Sequence, residues 1–203
     1  MLASTRPRSR IFVRALALAI AGLALAGCGI NTIPTLQERA KAAWSEVLNQ
    51  YQRRVDLIPN LVETVKGYAA QESKVLTDVV EARAKATQVT LPPDVLTNPE
   101  AFKKFQEAQS QLSGALARLL AVVENYPDLK SNQNFLALQS QLEGTENRIA
   151  IARRDYITAV QDYNTEIRTI PGRWWRAVVY PDAQPMQNFT VAEETTKVPE
   201  VKF

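Results

Sequence analysis

Residues 44–86 read WSEVLNQYQRRVDLIPNLVETVKGYAAQESKVLTDVVEARAKA, and stepping through them alternately by four and by three lands on one row of positions. The row is Trp44, Leu48, Tyr51, Val55, Ile58, Val62, Val65, Ala69, Glu72, Leu76, Val79, Arg83 and Ala86, interrupted only by Glu72 and Arg83. Positions at that spacing share one face of an α-helix, so the stretch predicts a long amphipathic helix lying on partners. Pro59 falls within it, removing a backbone bond to Val55 and disfavouring helical geometry at Ile58. The row nevertheless keeps its phase through Val55, Ile58 and Val62. That continuity predicts one kinked helix of about 50 residues, roughly 75 Å long at 1.5 Å per residue. The alternative is two helices meeting at Pro59, which raises the count of long helices from three to four.

Downstream, residues 87–98 (TQVTLPPDVLTN) read as a connection, and Asn98 before Pro99 and Glu100 makes a good N-cap with Pro at the first helical position. A second helix follows along Phe102, Phe105, Gln109, Leu112, Leu116, Leu119, Val123 and Tyr126, stopping before Pro127. Ser131 or Asn132 then caps a third, whose row is Phe135, Leu138, Leu142, Thr145, Ile149, Ala152, Tyr156, Ala159, Tyr163, Glu166 and Ile170. Ile167 is placed to take over the core position of Glu166, and Pro171-Gly172 ends the helix. Three long helices joined by short or modest links run antiparallel and bury their stripes together. The expected fold is all-α, an elongated antiparallel bundle over residues 36–171 with an irregular tail over 172–203.

Upstream, Arg6, Arg8, Arg10 and Arg14 precede the apolar run Ala15 to Ala26, the pattern of a secretory leader over residues 1–27. The run falls short of the roughly 18 apolar residues that a membrane span needs. Leu25-Ala26-Gly27-Cys28 looks like the lipobox of bacterial lipoproteins, with Cys28 as the lipidated (palmitate-bearing) residue and 28–35 as a short tether; the plainer reading is an ordinary leader or a short uncleaved anchor. The leader holds four of the 24 basic residues and no acid, leaving 20 basic against 21 acidic residues, formally −1. A nearly neutral domain without basic blocks has no electrostatic footprint for nucleic acid. Cys28 is the only cysteine and there is no histidine. Cys-His and Ser-His-Asp catalysis and His-ligated di-iron sites are thereby excluded, and no catalytic, metal or cofactor residue is expected.

At residues 49–69, NQYQRRVDLIPNLVETVKGYA, and 142–152, LEGTENRIAIA, the chain resembles the LemA family of bacterial envelope proteins, with the closing PEVKF similar to the family's terminus. The resemblance implies an N-terminal membrane anchor and a helical bundle outside the cytoplasm, and it brings no established activity with it. The Leu-Ala-Gly-Cys motif departs from members with a longer apolar anchor and points to a lipid in its place.

Polar residues crowd those two blocks. Arg53, Arg54, Asp56 and Asn60 surround Pro59, while Glu143, Glu146, Asn147, Arg148, Arg153 and Arg154 share one region of the third helix. Arg54 and Glu146 fall at the edges of their stripes, where charges pair between helices. They read either as register-setting ion pairs or, with Pro59 as a hinge, as a docking surface for an envelope protein. Trp174 and Trp175, bracketed by Arg173 and Arg176, suit either packing over the end of the bundle or a bilayer interface. The function expected is a lipid-anchored, non-catalytic interaction or scaffold protein. The alternative is a carrier for a peptide, lipid or other apolar ligand between the helices. Oligomeric state stays open.

Overall fold

The computed structural model describes residues 29–89 and 92–190, and these form helices without strands. The helices are α1 (Thr32–Lys66), α2 (Ser73–Gln88), α3 (Pro99–Val123), the single turn α4 (Pro127–Lys130), α5 (Gln133–Glu166) and α6 (Gly172–Val178). The leader, Cys28 and the last residues, 191–203, lie outside the described residues. Among those described, no helix is long and apolar enough to cross a membrane.

The antiparallel all-α bundle expected from the apolar rows is the fold observed. α1 and α5 pack side by side along their lengths, with Arg39 paired to Asp162 near one end and Arg54 to Glu146 near the middle. α2 packs on α3 and returns along the second half of α1. Both expected caps form: Asn98 Oδ1 accepts from the amides of Glu100 and Ala101, and Asn132 Oδ1 from those of Asn134 and Phe135.

The first helix is corrected in two respects. It does not break at Pro59, which lies inside an unbroken α1, nor does it continue for about 50 residues. It ends at Lys66, and residues 67–72 reverse the chain through a tight turn. Gly67 weakens the helix locally by about 1 kcal/mol relative to Ala. Ala69 then buries completely at the reversal, its amide on the Val65 carbonyl at 2.8 Å. The turn bonds to the α3–α4–α5 corner beside it. Tyr126 donates its hydroxyl to Glu72 and accepts from Gln71, and Asn132 donates to the Tyr68 hydroxyl.

Doubling back puts Arg83 of α2 beside the carbonyl that Pro59 leaves without its helical donor. Arg83 Nε donates to the Val55 oxygen at 3.1 Å. The bond replaces the missing one with a charge-assisted donor from a neighbouring helix. Both interruptions of the apolar row therefore have polar tasks: Glu72 ties the two corners together and Arg83 closes the gap at Pro59.

Because α2 has 16 residues and α1 has 35, the first half of α1 lacks a helical fourth neighbour. The chain after α6 fills that place. Ala183, Met186 and Phe189 are buried, together with Val95 and Leu96 of the α2–α3 link, against Trp44, Tyr51, Phe102, Phe105 and Tyr156. The Phe189 ring meets those of Phe102, Tyr156 and Trp44 in tilted and edge-on contacts, with centroids 5.1 to 6.1 Å apart. Asn164 holds the strap from both sides, its amide donating to the Met186 carbonyl and its oxygen accepting from the Met186 amide, each at 2.9 Å. The tail is thus not the irregular appendage expected: it contains α6 and completes the core. The tether is corrected too, since α1 starts at Thr32 rather than near Leu36. α5 stops at Glu166, and Ile167 is fully buried while Ile170 is exposed.

Two outcomes are expected. In a double-mutant cycle followed by urea unfolding, Arg83→Met costs about 1–3 kcal/mol in the parent, because the Val55 carbonyl loses its partner. In the Pro59→Ala background the cost shrinks, because the alanine supplies the backbone N–H that proline lacks; equal costs in both backgrounds would refute the link. The second concerns alkali: burial raises the hydroxyl pKa of Tyr51, Tyr156 and Tyr163 above the ordinary 10.0. A folded-state pKa raised above the unfolded one gives stability that is complete below about pH 10 and lost as pH rises through the folded values. Circular dichroism and tyrosinate absorbance should show the three buried tyrosines ionising in step with loss of helix.

Candidate functional site

Arg54 projects from α1 into the bundle and is 1% exposed, whereas its position in the sequence pattern puts it at a stripe edge. Its Nη1 donates to Ser113 Oγ at 2.8 Å and to Glu146 Oε1 at 3.1 Å. Its Nη2 donates to Gln109 Oε1 at 2.6 Å and to the Gln109 carbonyl at 3.3 Å. The guanidinium carbon lies 4.9 Å from the Tyr51 ring centroid, a cation–π contact. Nε is buried without a partner. Gln109 and Thr145 are buried beside the cluster, while Glu146 keeps a side chain 43% exposed.

This layer separates two apolar cores. On α1 it lies between Tyr51 and Val55, on α3 between Phe105 and Leu112, and on α5 between Ile149 and Leu142. Sliding α3 by a turn would set Arg54 against Phe105 or Leu112, and sliding α5 would set it against Leu142 or Ile149. Either shift strips a buried guanidinium of part of its acceptors, Gln109 and Ser113 in the first case and Glu146 in the second, a loss of about 1–3 kcal/mol or more. The layer is therefore a register key: it stabilises little over a well-packed apolar layer but penalises every wrong alignment.

Next to it, α3 and α5 stand apart and leave an open groove of about 470 Å³. Its apolar surface comes from Leu116, Ala117, Leu120 and Leu142, and its polar side from Ser113, Glu143, Glu146 and Asn147. Glu146 thus belongs to both places, neutralising Arg54 on one side and facing the groove on the other.

The other residues singled out from the sequence do not converge on one surface. Arg53, Asp56, Pro59 and Asn60 are on the solvent side of α1, with Gln52 donating to Asp56 at 2.8 Å. Arg148 and Arg154 are exposed on α5, and Arg153 stacks 4.4 Å over the Phe189 ring, beside the Tyr51 hydroxyl. Trp175 packs inward against the end of the bundle, whereas Trp174 faces outward and is 61% exposed. Gln109, Ser113 and Thr145 were missed as site residues. A signal existed for two of them, since Gln109 and Thr145 are polar residues within otherwise apolar rows. Among the described residues, no three His, Cys, Asp or Glu side chains are grouped to hold a metal ion.

Replacing one member of the layer should cost more than replacing two. Arg54→Met strands the buried Gln109 amide, at about 1–3 kcal/mol in chemical denaturation. Arg54→Met with Gln109→Leu joins the two apolar cores and should recover most of that loss. Strictly additive costs would show that the layer is not a unit.

Comparison with known proteins places this bundle. Over 157 residues, the chain is 29% identical to Magnetosome protein MamQ 2 of Paramagnetospirillum magneticum, covering 70% of this chain and 58% of that protein. It is 26% identical to Magnetosome protein MamQ of Magnetospirillum gryphiswaldense over the same shares. With Protein LemA of Metamycoplasma hominis it shares 24% over 162 residues, 80% of this chain and 67% of that one. The chain thus spans little more than half the length of the magnetosome relatives it matches. The model of the LemA family matches residues 43–203, from the start of the aromatic core to the last residue, and the chain belongs to the LemA family.

Proposed function

We propose that this protein is a lipid-anchored, non-catalytic bundle of the cell envelope that works as an interaction scaffold, with the α3–α5 groove receiving a helical segment of an envelope protein. The observation that carries the reading is the groove's composition: a leucine floor beside two carboxylates, Glu143 and Glu146, on a rigid frame set by Arg54. An amphipathic helix with apolar residues flanked by Lys or Arg complements such a surface. Cys28 supplies the anchor, and without an acid at position 29 the periplasmic face of the outer membrane is favoured in a Gram-negative host. The same family domain occurs in proteins named for the magnetosome and for LemA itself, which supports a module whose task is set by its partner. A carrier holding a ligand between the helices would need a cavity along the apolar stripes. The stripes here meet in two clusters of buried side chains, and the groove lies open at the surface.

A photo-reactive residue at Asn147, exposed on the groove, with a control at exposed Glu63 on α1, tests the reading in intact cells. One envelope protein captured from Asn147 alone, and lost on Glu143→Arg, is the expected result. Capture of lipid or small molecules only would favour the carrier. Equal capture from both positions would overturn the groove as a docking site.

A further inference from the structure

We infer that the end of the bundle formed by α6 and the turn before it rests directly on an anionic bilayer, with Trp174 in the interface. This goes beyond the scaffold reading and uses only its anchored N-terminus, whether the anchor is a lipid on Cys28 or the retained apolar leader.

Three observations converge on that end. The first is an apolar surface that the described residues leave uncovered: Ile170, Trp174, Val178 and Val179 are 63%, 61%, 80% and 41% exposed. Trp174 and Val178, four apart, lie on one side of α6, while Trp175 on another packs into the core. The second is charge. Residues 166–182, EIRTIPGRWWRAVVYPD, contain three arginines against two acids, Glu166 and Asp182, of which Glu166 lies against Gly172, so this end is formally +1. Arg168 and Arg173 are exposed, whereas Arg176 is committed to the Ala183 carbonyl at 2.7 Å. An exposed indole and aliphatic side chains with two exposed arginines, Arg168 and Arg173, close by in the chain match the layered chemistry of an anionic interface, where Trp lies at headgroup level and each nearby Arg attracts acidic lipid.

The third observation identifies the occupant. Gly29 adjoins Cys28 in the chain, and its φ of +106° is the left-handed conformation that glycine favours. A Cβ placed on Gly29 would lie 3.7 Å from Pro171 Cγ and 3.8 Å from Trp175 Nε1. The residue next to the anchor therefore touches the element that carries the exposed apolar group. With α1 beginning three residues later, there is no slack to lift this end away from the membrane.

The test uses the full chain in phosphatidylcholine–phosphatidylglycerol vesicles with brominated acyl chains. Its only tryptophans are Trp44, Trp174 and Trp175. Brominated lipid should quench the emission, and Trp174→Phe should remove most of that quenching, because Trp44 is buried and Trp175 faces inward. Arg168→Glu with Arg173→Glu should cut the Trp174 quenching by about half or more at fixed anionic content. Unchanged helix content by circular dichroism shows that these exposed substitutions leave the fold in place. Flotation of the protein with the vesicles but equal quenching of parent and Trp174→Phe would overturn the bilayer-resting face and leave the anchor standing. Failure to float would overturn both. A dimer that forms through Trp174 and keeps it from bromine would also overturn the proposal, making the face a contact between copies.

Discussion

The burial of one guanidinium governs how the helices of this bundle align. Arg54 reaches α3 and α5 at once from α1, and the acceptors it finds, Gln109, Ser113 and Glu146, occur together only in the observed register. The apolar rows above and below it are far more permissive. Leu, Val and Ala at three-four spacing pack nearly as well after a one-turn slip, because every turn offers another apolar side chain. Specificity in a long bundle therefore has to come from something that fails sharply when misaligned, and a buried charge does so. Its cost is contained because Glu146 stays half in water, so that only one member of the ion pair is fully desolvated.

A second constraint comes from unequal helix lengths. Once α1 turns back at Gly67 and α2 ends at Gln88, the aromatic half of the core has three helices around it where the aliphatic half has four. Trp44, Phe102, Phe105 and Tyr156 are large enough to need a further wall, and the segment from Ala183 to Phe189 provides it in extended form. An extended strap leaves backbone groups unpaired that a helix would satisfy internally. Here Asn164, Tyr156, Gln106 and the Leu96 carbonyl bond to it, all from elements already fixed by the bundle.

How much of this was legible in the sequence depended on whether the signal was local. The rows and caps were, because Asn98 and Asn132 act within one helical turn and an amphipathic stripe needs no knowledge of its partner. The reversal at Gly67 was hidden because the three-four row runs through it in phase: Ala69 is buried in the turn as it would have been in a helix, and α2 resumes on schedule at Leu76. Pro59 was the more conspicuous breaker, yet the donor it lacks is replaced by Arg83, which lies 28 positions from Val55 and comes near only in the finished hairpin. The strap was illegible for the same reason, as Phe189 and Met186 have no periodicity and find their places through side chains of other helices. At the candidate site, polar interruptions in the apolar rows pointed to Gln109 and Thr145, while the inward turn of Arg54 and the groove beside it exist only once three helices are assembled.

Were the groove to receive the proposed helix, the placement of Glu146 would tie recognition to stability. A cationic group arriving in the groove would compete with Arg54 for the same carboxylate, and an Arg54 left with less negative charge is a buried cation held only by neutral acceptors. Ser113, Gln109 and the Tyr51 ring limit that loss, because they solvate the guanidinium without the carboxylate. Glu143, one turn away and bonded among the described residues to Gln139, is the carboxylate that could be shared without touching Arg54. The groove thus holds one acid engaged by the frame and one that a partner of the proposed kind could use. Contacts through Glu143 would add affinity without disturbing the register, whereas contacts that draw Glu146 away would weaken the α1–α3–α5 alignment on which the groove itself depends.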